Sequence, residues 1–528
     1  MKLDDNFFKS FLDALTDNLF ISQIVLEKND LSCESLKGLM LLLTRDPKIR
    51  YLEVNNNNID NDIVVFLGEN LKAMQKNRDP ITLILRENNF GYEGAIALAE
   101  ALELNVPIDS LDLSNNHNIG DNGSEVIMES LEKNTVLTRL ILNKCGFDQL
   151  GADALSNSLI YNRTLKTLFL QDPLSPDAVF SLGNMLERPT CSLKELVLSN
   201  CNLNEKSLDV LCRSLRNNKS LQTLSLSNNK MNDNVSVYLS DMIYRNKSLT
   251  KLQLGANRFA LPSGGLFGVA LASNNTLKHL DLAKNSLQSL GIWALAIALL
   301  NNKTLETLDL RYNGIDSKGI NFFCELISGN TAINSLKISG NNFNDKSITL
   351  LSHKLAKNNT IIDIELDDVK ITSTGFIELC NALKTNVTLK RISLCKNEID
   401  AIALQTFSEL LKVNTTLQYI NLSKCKINDE GASFIAEGIS SNSSLYELDL
   451  SSNKIGINGF QSLTNAMMGN YSIKEIKINN NQFNSDINDE VIAKMNQFED
   501  LFERNEYVSK NILMKDMGKL AKDNCFFV

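Results

Sequence analysis

The residues that most often perform chemistry in proteins are few and dispersed in this chain of 528 residues. Its three histidines, His117, His279 and His353, are far apart in the sequence, whereas a metal site or a catalytic triad needs histidine beside other ligands or beside a nucleophile. Residues 264–268 include three glycines but lack the Gly-Lys-Ser/Thr that a phosphate-binding loop requires. The sequence therefore predicts a protein that is not an enzyme, with no metal and no cofactor.

The ten cysteines are scattered and form no Cys-x-x-Cys pair. This distribution is typical of reduced thiols in a cytoplasmic protein rather than of a disulfide framework or a zinc site. The N-terminal segment, 1–20, contains acidic residues and lacks a continuous apolar run, so we expect no secretory signal peptide. We therefore expect a cytoplasmic location.

One apolar pattern, Leu-x-x-Leu-x-Leu-x-x-Asn-x-Ile/Leu/Phe, repeats every 28 residues. Looser copies around residues 24, 52, 83 and 111 bring the total to about seventeen. Repeats that contact only their neighbours build one elongated body, so we expect function on a surface rather than in a pocket. In the regular copies the second apolar position is occupied by Leu140, Leu168, Leu196, Leu224, Leu252, Leu280, Leu308, Leu336, Ile364, Ile392, Ile420, Leu448 and Ile476.

Each repeat reads as a short strand followed by a helix. Residues 417–427 alternate apolar and polar side chains, which predicts a strand with Ile420 and Leu422 facing inward. Residues 428–439 have apolar side chains at helical spacing, which predicts an amphipathic helix. A helix of this kind provides the crossover that parallel strands require.

Asparagine recurs at two fixed positions of the repeat. The first follows the strand, where its amide is expected to bond buried backbone groups of neighbouring repeats. The second lies three residues before the first strand leucine and creates sequons such as Asn302-Lys303-Thr304, which we interpret as structural rather than glycosylated. The first pattern is broken at 172–174 and 367–369, where local strain and a binding adaptation are both open explanations.

The repeat, with its helical second half and links such as residues 301–305, resembles the ribonuclease-inhibitor-like class of leucine-rich repeats over roughly residues 20–485. The resemblance implies an α/β solenoid, a right-handed horseshoe with a concave parallel β-sheet and convex helices. We divide the chain into an N-terminal helical cap at 1–20, the solenoid at 21–484, and a C-terminal helical cap and tail at 485–528. The class includes inhibitors, GTPase activators, immune receptors and bacterial effectors, so it indicates fold more strongly than function.

Three apolar residues lie at outward-facing positions of successive predicted strands. Ile141, Phe169 and Val197 would form an exposed patch on the concave face, suited to anchor a partner protein. The alternative is that neighbouring side chains shield them.

A second group is charged. Asp281, Asp309 and Glu365 lie in an acidic stretch of the same face, with Arg311 and Tyr312 inside it. We predict these residues as a polar rim or second contact for a partner protein.

The C-terminal tail has two features. Residues 525–528, Cys-Phe-Phe-Val, have the length of a prenylation box, so either Cys525 is lipidated and contacts a membrane, or the terminus is an unmodified hydrophobic end. The tail, with its Glu-rich run at 499–506, is also similar to the translocation signals of bacterial type IV effectors.

The sequence therefore predicts a non-enzymatic, monomeric scaffold that binds a protein on its concave face. The tail resemblance implies a secreted bacterial effector acting in virulence on a host protein, in the host cell cytoplasm. The alternatives are a GTPase-activating regulator resembling the Ran activator and an enzyme inhibitor resembling ribonuclease inhibitor, although ten cysteines are few for the latter. A net charge of -9 argues against nucleic acid as a partner.

Overall fold

The computed structural model describes residues 5–16, 20–29, 31–74, 78–484, 498, 500–502 and 505. The chain divides into two compact units, Met1–Asp281 and Leu282–Val528. Each unit is an α/β solenoid in which short strands and helices alternate along the chain. The predicted fold class, a leucine-rich-repeat solenoid with parallel strands and crossover helices, is confirmed.

The strands of the first unit are β1 Gln23–Glu27, β2 Tyr51–Asn55, β3 Ile81–Ile84, β4 Ile108–Asp112, β5 Arg139–Ile141, β6 Thr167–Phe169, β7 Glu195–Val197, β8 Thr223–Ser225, β9 Lys251–Gln253 and β10 His279–Asp281. Its helices are α1 Asp5–Thr16, α2 Cys33–Arg45, α3 Asn61–Lys72, α4 Tyr92–Glu103, α5 Gly120–Ser130, α6 Gln149–Ser158, α7 Pro176–Glu187, α8 Glu205–Leu215, α9 Ser236–Arg245 and α10 Leu261–Ser273.

The strands of the second unit are β11 Thr307–Asp309, β12 Ser335–Lys337, β13 Asp363–Glu365, β14 Arg391–Ser393, β15 Tyr419–Asn421, β16 Glu447–Asp449 and β17 Glu475–Lys477. Its helices are α11 Gln288–Leu299, α12 Ile320–Gly329, α13 Asp345–Leu355, α14 Ser373–Leu383, α15 Ala401–Val413, α16 Asp429–Ser441 and α17 Ile457–Gly469.

Successive strands within each unit pair in parallel, with equivalent repeat positions opposite each other. Leu140 lies opposite Leu168, and Ile420 lies opposite Leu448. Among the described strand pairings, a register shift lies between Ile81 and Thr82 where β3 meets β4, in the part of the chain where the repeat length also varies. The strand leucines are fully buried against the helices, so the core is a layer between sheet and helices.

The asparagines that follow the strands form a buried hydrogen-bond ladder. The Asn341 carbonyl oxygen accepts the backbone N–H groups of Asn313 and Ile315, both at 3.1 Å. Its amide donates to the carbonyl oxygens of Leu310 at 3.1 Å and Ile338 at 2.8 Å. One side chain therefore satisfies backbone groups of two repeats, as predicted.

The asparagines of the second column act in the same way where the chain leaves a helix. The Asn302 carbonyl oxygen accepts the N–H of Leu305 at 2.8 Å, and the side chain is 3% exposed. The next member, Asn330, donates to the carbonyl oxygens of Leu299 and Asn302 at 2.6 and 2.9 Å. The structural interpretation of the sequons is confirmed.

Apolar side chains lie on the outermost repeats. Phe8 of α1 is fully buried, and Leu12 lies close to Gly38 of α2. At the other end Phe498 packs edge-on against Phe460, with ring centres 5.2 Å apart. The Asn505 amide donates to the carbonyl oxygens of Asn470 and Ile473, which continues the second asparagine column beyond Asn470. The assignment of 1–20 and 485–528 as caps stays a prediction.

Candidate functional site

The sheet face that points away from the helices carries side chains that change from repeat to repeat. Because successive strand residues alternate between faces, Arg139 and Ile141 lie on this face, whereas Leu140 lies in the core. The inward position is Leu or Ile in every strand, but the outward positions range from Asp to Phe. Stacking requires no particular residue there, so this face is free to carry recognition chemistry.

The predicted apolar patch is less accessible than expected. Ile141 and Val197 are only 6% and 9% exposed, and Phe169 between them is half-buried. Ile141 lies between Asp112 and Phe169 on the neighbouring strands, which are about 4.8 Å away. Side chains in one row therefore cover each other, and the prediction that Ile141 and Val197 are exposed was wrong. Their part in partner binding stays a prediction.

Phe169 is covered in part by an arginine that the sequence reasoning missed. The Arg139 guanidinium carbon lies 4.6 Å from the centre of the Phe169 ring. Its Nη1 is 3.8 Å from Glu195 Oε2, across the strand between them. Cation–π and ion-pair contacts hold the guanidinium over the ring. Strands β5 to β7 thus present the Phe169 ring together with the positive charge of Arg139 and the negative charge of Glu195.

In the second unit, three residues predicted as a second contact for a partner, Asp309, Arg311 and Glu365, lie together in one ion-pair network, and their part in partner binding stays a prediction. Arg311 Nε lies 2.9 Å from Asp309 Oδ1, and its Nη1 lies 3.3 Å from Glu365 Oε2. Lys337 Nζ lies 2.5 Å from the other oxygen of Glu365. Asp309 is 6% exposed, and its counter-ion Arg311 keeps 38% of its side chain exposed. This part of the face is a neutralised charge network rather than an open acidic surface.

Tyr312 follows this network and has a left-handed backbone with φ of 53°. Its side chain is 47% exposed, and its ring lies on Gly340, where an added Cβ would come within 2.2 Å of ring atoms. The glycine therefore makes room for the tyrosine, which is accessible to a partner. Asp281 ends β10 in the first unit and is half-buried, and its backbone carbonyl accepts the N–H of Leu254 at 2.8 Å.

A second guanidinium–aromatic pair was also missed. The Arg391 guanidinium carbon lies 4.3 Å from the centre of the Tyr419 ring on the adjacent strand. Burial and the nearby carboxylates of Glu447 and Asp449 raise the pKa of the Tyr419 hydroxyl. Arg391 and Tyr419 occupy the same repeat position 28 residues apart, so aligning the repeats by that outer column would have found the pair.

The first break in the asparagine column preserves the backbone bonding. Pro173 stands at the asparagine position, and the neighbouring Asp172 carboxylate accepts the N–H groups of Cys145 at 3.2 Å and Gly146 at 3.0 Å. Burial raises the pKa of Asp172. Asp172 thus supplies the acceptor that asparagine provides elsewhere.

At the second break the nearby carboxylate accepts hydrogen bonds from the following repeat rather than from the preceding one. Val369 stands at the asparagine position and still donates its N–H to Asn397 Oδ1 at 3.3 Å. The Asp367 carboxylate accepts the N–H of Cys395 at 2.8 Å and the hydroxyl of Ser393 at 2.5 Å. Burial raises the pKa of Asp367. Its charge is therefore engaged with the backbone rather than offered to a partner.

The described part of the chain offers few chemically reactive groups. Its cysteines are free thiols, and burial raises the pKa of Cys324 to about 11 and of Cys425 to about 12. Among those residues, no cluster of three or more His, Cys, Asp and Glu is suited to hold a metal ion. No described helix combines the length and apolar character needed to cross a bilayer. Cys525 lies outside the described residues.

Family models described as Leucine Rich repeat and Leucine Rich Repeat match several segments of the chain. The first matches residues 81–99, 105–128, 273–296, 301–324, 413–436 and 441–463, and the second matches 192–214. These segments follow the strand-and-helix repeat observed in both units.

The chain is also similar to parts of known proteins. It is 30% identical over 193 residues to NACHT, LRR and PYD domains-containing protein 14 of Mus musculus, covering 36% of this chain and 19% of that protein. It is 31% identical over 121 residues to the Mus musculus ribonuclease inhibitor, covering 22% of this chain and 26% of the inhibitor. The chain thus matches less than a third of the length of either relative.

Among solved structures, the yeast Rad7 and Elc1 complex contains a chain similar to this one, with a TM-score of 0.42 and 16% identity, covering 84% of this chain and 87% of that chain.

Proposed function

We propose that this chain, a leucine-rich-repeat protein of the ribonuclease-inhibitor-like class, is a non-enzymatic scaffold that binds a partner protein through the sheet faces of its units. The observation that carries the proposal is the pair of guanidinium–aromatic contacts on those faces. Arg139 covers Phe169 in the first unit, and Arg391 covers Tyr419 in the second.

Arginine and aromatic residues provide much of the binding energy in protein interfaces, because they combine large apolar area with directed hydrogen bonding. Here the Arg139 guanidinium is already held by Phe169 and Glu195, and Arg311 is held by Asp309 and Glu365. Side chains held before binding lose less conformational entropy on binding. These features suit the sheet faces to recognise a folded protein surface.

The first test compares two Phe-to-Asp variants of one repeat. Phe169→Asp places a carboxylate on the sheet face, whereas Phe180→Asp places it on α7, where Phe180 is 55% exposed on the helical side. Each full-length variant is used to purify proteins from eukaryotic lysate, with quantitative mass spectrometry as the readout. We expect Phe169→Asp to lose partners that wild type and Phe180→Asp retain, and equal recovery by all three would refute the role of Phe169.

The second unit is tested with Tyr419→Ala and Arg391→Ala. The matched control is Tyr471→Ala, which removes a tyrosine that is 54% exposed but lies outside the strands. We expect either sheet-face variant to weaken the complex about tenfold or more, since truncating a central interface residue costs more than about 1.4 kcal/mol. An effect of the same size in the control would contradict the assignment.

We also propose a more specific role, that of a secreted bacterial effector that acts on a host protein. The support is the resemblance of the tail to type IV translocation signals. A translocation reporter fused to the full chain tests this directly, and failure to reach the host cytoplasm in a type IV-competent strain would refute it.

The inhibitor alternative is favoured by the 31% identity to ribonuclease inhibitor. A ribonuclease activity assay with purified chain discriminates it. The GTPase-activating alternative is tested by hydrolysis assays on a panel of small GTPases.

A further inference from the structure

The loops that follow β13 to β16 carry a group of exposed lysines outside the sheet face. Lys370, Lys396, Lys424, Lys426 and Lys454 lie immediately before or after the asparagine column in four successive repeats. We call these five residues the lysine ridge. Adjacent parallel strands are about 4.8 Å apart, so residues from neighbouring repeats lie close together along the ridge.

Most of the ridge adopts a backbone conformation that lysine does not favour. Lys370, Lys396, Lys424 and Lys426 have φ values of 62°, 60°, 56° and 63°. Asparagine tolerates the left-handed region better than lysine does, and it occupies both positions in the repeat at 56–58. Single lysines occur at these positions in other repeats, but only here do they accumulate in successive repeats.

Two ridge lysines form ion pairs with acids of the preceding repeat. Lys396 Nζ lies 2.5 Å from Asp368 Oδ2, and Lys426 pairs with Glu398. The four side chains remain between 35% and 70% exposed. Exposed ion pairs of this kind are weak because water screens both charges, so these lysines remain able to contact a further anion.

The other three lysines are not neutralised. Lys370 Nζ donates to the amide oxygen of Asn342 at 2.6 Å, which carries no charge. Lys424 and Lys454 form no ion pair with any residue that the structure describes. The ridge and its two acids together carry an excess of three positive charges, on a chain with a net charge of -9. The ridge is therefore locally positive, whereas the chain as a whole is negatively charged.

A concavity of about 470 Å³ runs between the loops of the ridge. Lys370, Lys396, Lys424 and Lys426 line it, together with the ion-paired Asp368 and Glu398. Ammonium groups that line a groove attract an anionic chain laid along it.

We propose that the lysine ridge is a docking surface for an acidic polypeptide segment rich in Asp and Glu. The interaction is separate from the sheet-face proposal, because none of the ridge residues lies in a strand. Flexible carboxylate side chains are able to meet Lys424 and Lys454 while avoiding Asp368 and Glu398.

A nucleic acid fits less well. Its phosphates form a continuous line of charge, which the interleaved carboxylates of Asp368 and Glu398 would repel. The described residues that line the concavity include no aromatic side chain on which a base could stack. The acidic peptide is therefore the occupant that the charges and the lining favour.

The test uses the full chain and a fluorescent peptide of mixed Asp and Glu, with fluorescence anisotropy as the readout. Lys424→Gln combined with Lys454→Gln removes the two lysines without ion pairs. The matched control combines Lys144→Gln with Lys230→Gln, which occupy the same two repeat positions in other repeats, with φ of 56° and 58°. A peptide with Asn and Gln in place of Asp and Glu controls for charge, and a single-stranded DNA of similar length tests the other class of polyanion.

We expect the wild type to bind the acidic peptide and to bind more weakly as salt is raised. The ridge variant should bind about tenfold more weakly, whereas the control variant should match the wild type. The proposal is overturned if the acidic peptide does not bind, if both double variants lose binding equally, if the neutral peptide binds equally well, or if DNA binds more tightly. Identical circular dichroism spectra of the variants exclude loss of fold as the cause.

Discussion

Replacing Asn341 by alanine tests whether the asparagine ladder stabilises the stacked repeats. The change removes an acceptor for the N–H groups of Asn313 and Ile315 and a donor to two carbonyl oxygens, all in a site where the side chain is 3% exposed. Leaving a buried N–H unsatisfied costs about 1–3 kcal/mol, so two of them, with the carbonyls, predict a loss of about 3–5 kcal/mol.

In another repeat of the chain, cysteine occupies the position of this asparagine. At the equivalent position the Cys425 thiol lies 3.2 Å from the Leu394 carbonyl oxygen and 3.4 Å from that of Ser423, so cysteine keeps donor contacts but provides no amide acceptor. Asn341→Cys should therefore destabilise by roughly half as much as Asn341→Ala. The control is Asn321→Ala, an exposed position on α12 in the preceding repeat, which should change stability by less than about 0.5 kcal/mol.

Urea unfolding measures the total effect, and amide hydrogen exchange locates it. Repeat proteins do not always unfold in one step, so loss of protection at the Asn313 and Ile315 amides is the more specific readout. The reasoning is refuted if Asn341→Ala matches Asn321→Ala in stability, or if those two amides keep their wild-type protection.

Two further predictions follow from buried titratable groups. Burial raises the pKa of Asp172 above its ordinary value of 3.8, so the folded state binds this proton more tightly and stability falls as pH rises through the raised pKa. The stability of wild type minus that of Asp172→Asn, from urea midpoints, should therefore decrease as pH rises above 3.8, and a difference that stays flat or increases would contradict the assignment. Thiol labelling of the folded protein at about pH 8, read by peptide mass spectrometry, should modify the exposed Cys33 and spare Cys425. Burial raises the pKa of the Cys425 thiol to about 12, so little reactive thiolate is present. Rapid labelling of Cys425 would show that its repeat opens.

The repeating parts of the molecule were predictable because one physical requirement recurs in every module. Inward leucines and isoleucines, the two asparagine columns and the amphipathic helices each repeat at a fixed spacing, so position in the pattern determines environment. Ile420 in the strand and Asn302 after the helix are both buried, as their positions require.

The sheet face was harder to predict because its environment depends on neighbours 28 residues away in both directions. Ile141 looked exposed from its own strand, but Asp112 and Phe169 on adjacent strands cover it. Likewise Glu365 looked like a free acid until Lys337 on the adjacent strand was placed beside it. A residue-by-residue reading of one strand omits these lateral contacts.

The hydrogen bonds of the second asparagine column give the stack a direction. Each amide reaches back to carbonyl groups of the module before it, as Asn330 does to Leu299 and Asn302, and Asn505 makes the same backward contact to Asn470 and Ile473. A repeat that is inserted or deleted as a whole therefore brings both its donor amide and its acceptor carbonyl groups. The junctions with the repeats before and after it then form the same hydrogen bonds. Gene duplication in units of this length can lengthen such a protein without inventing a new junction.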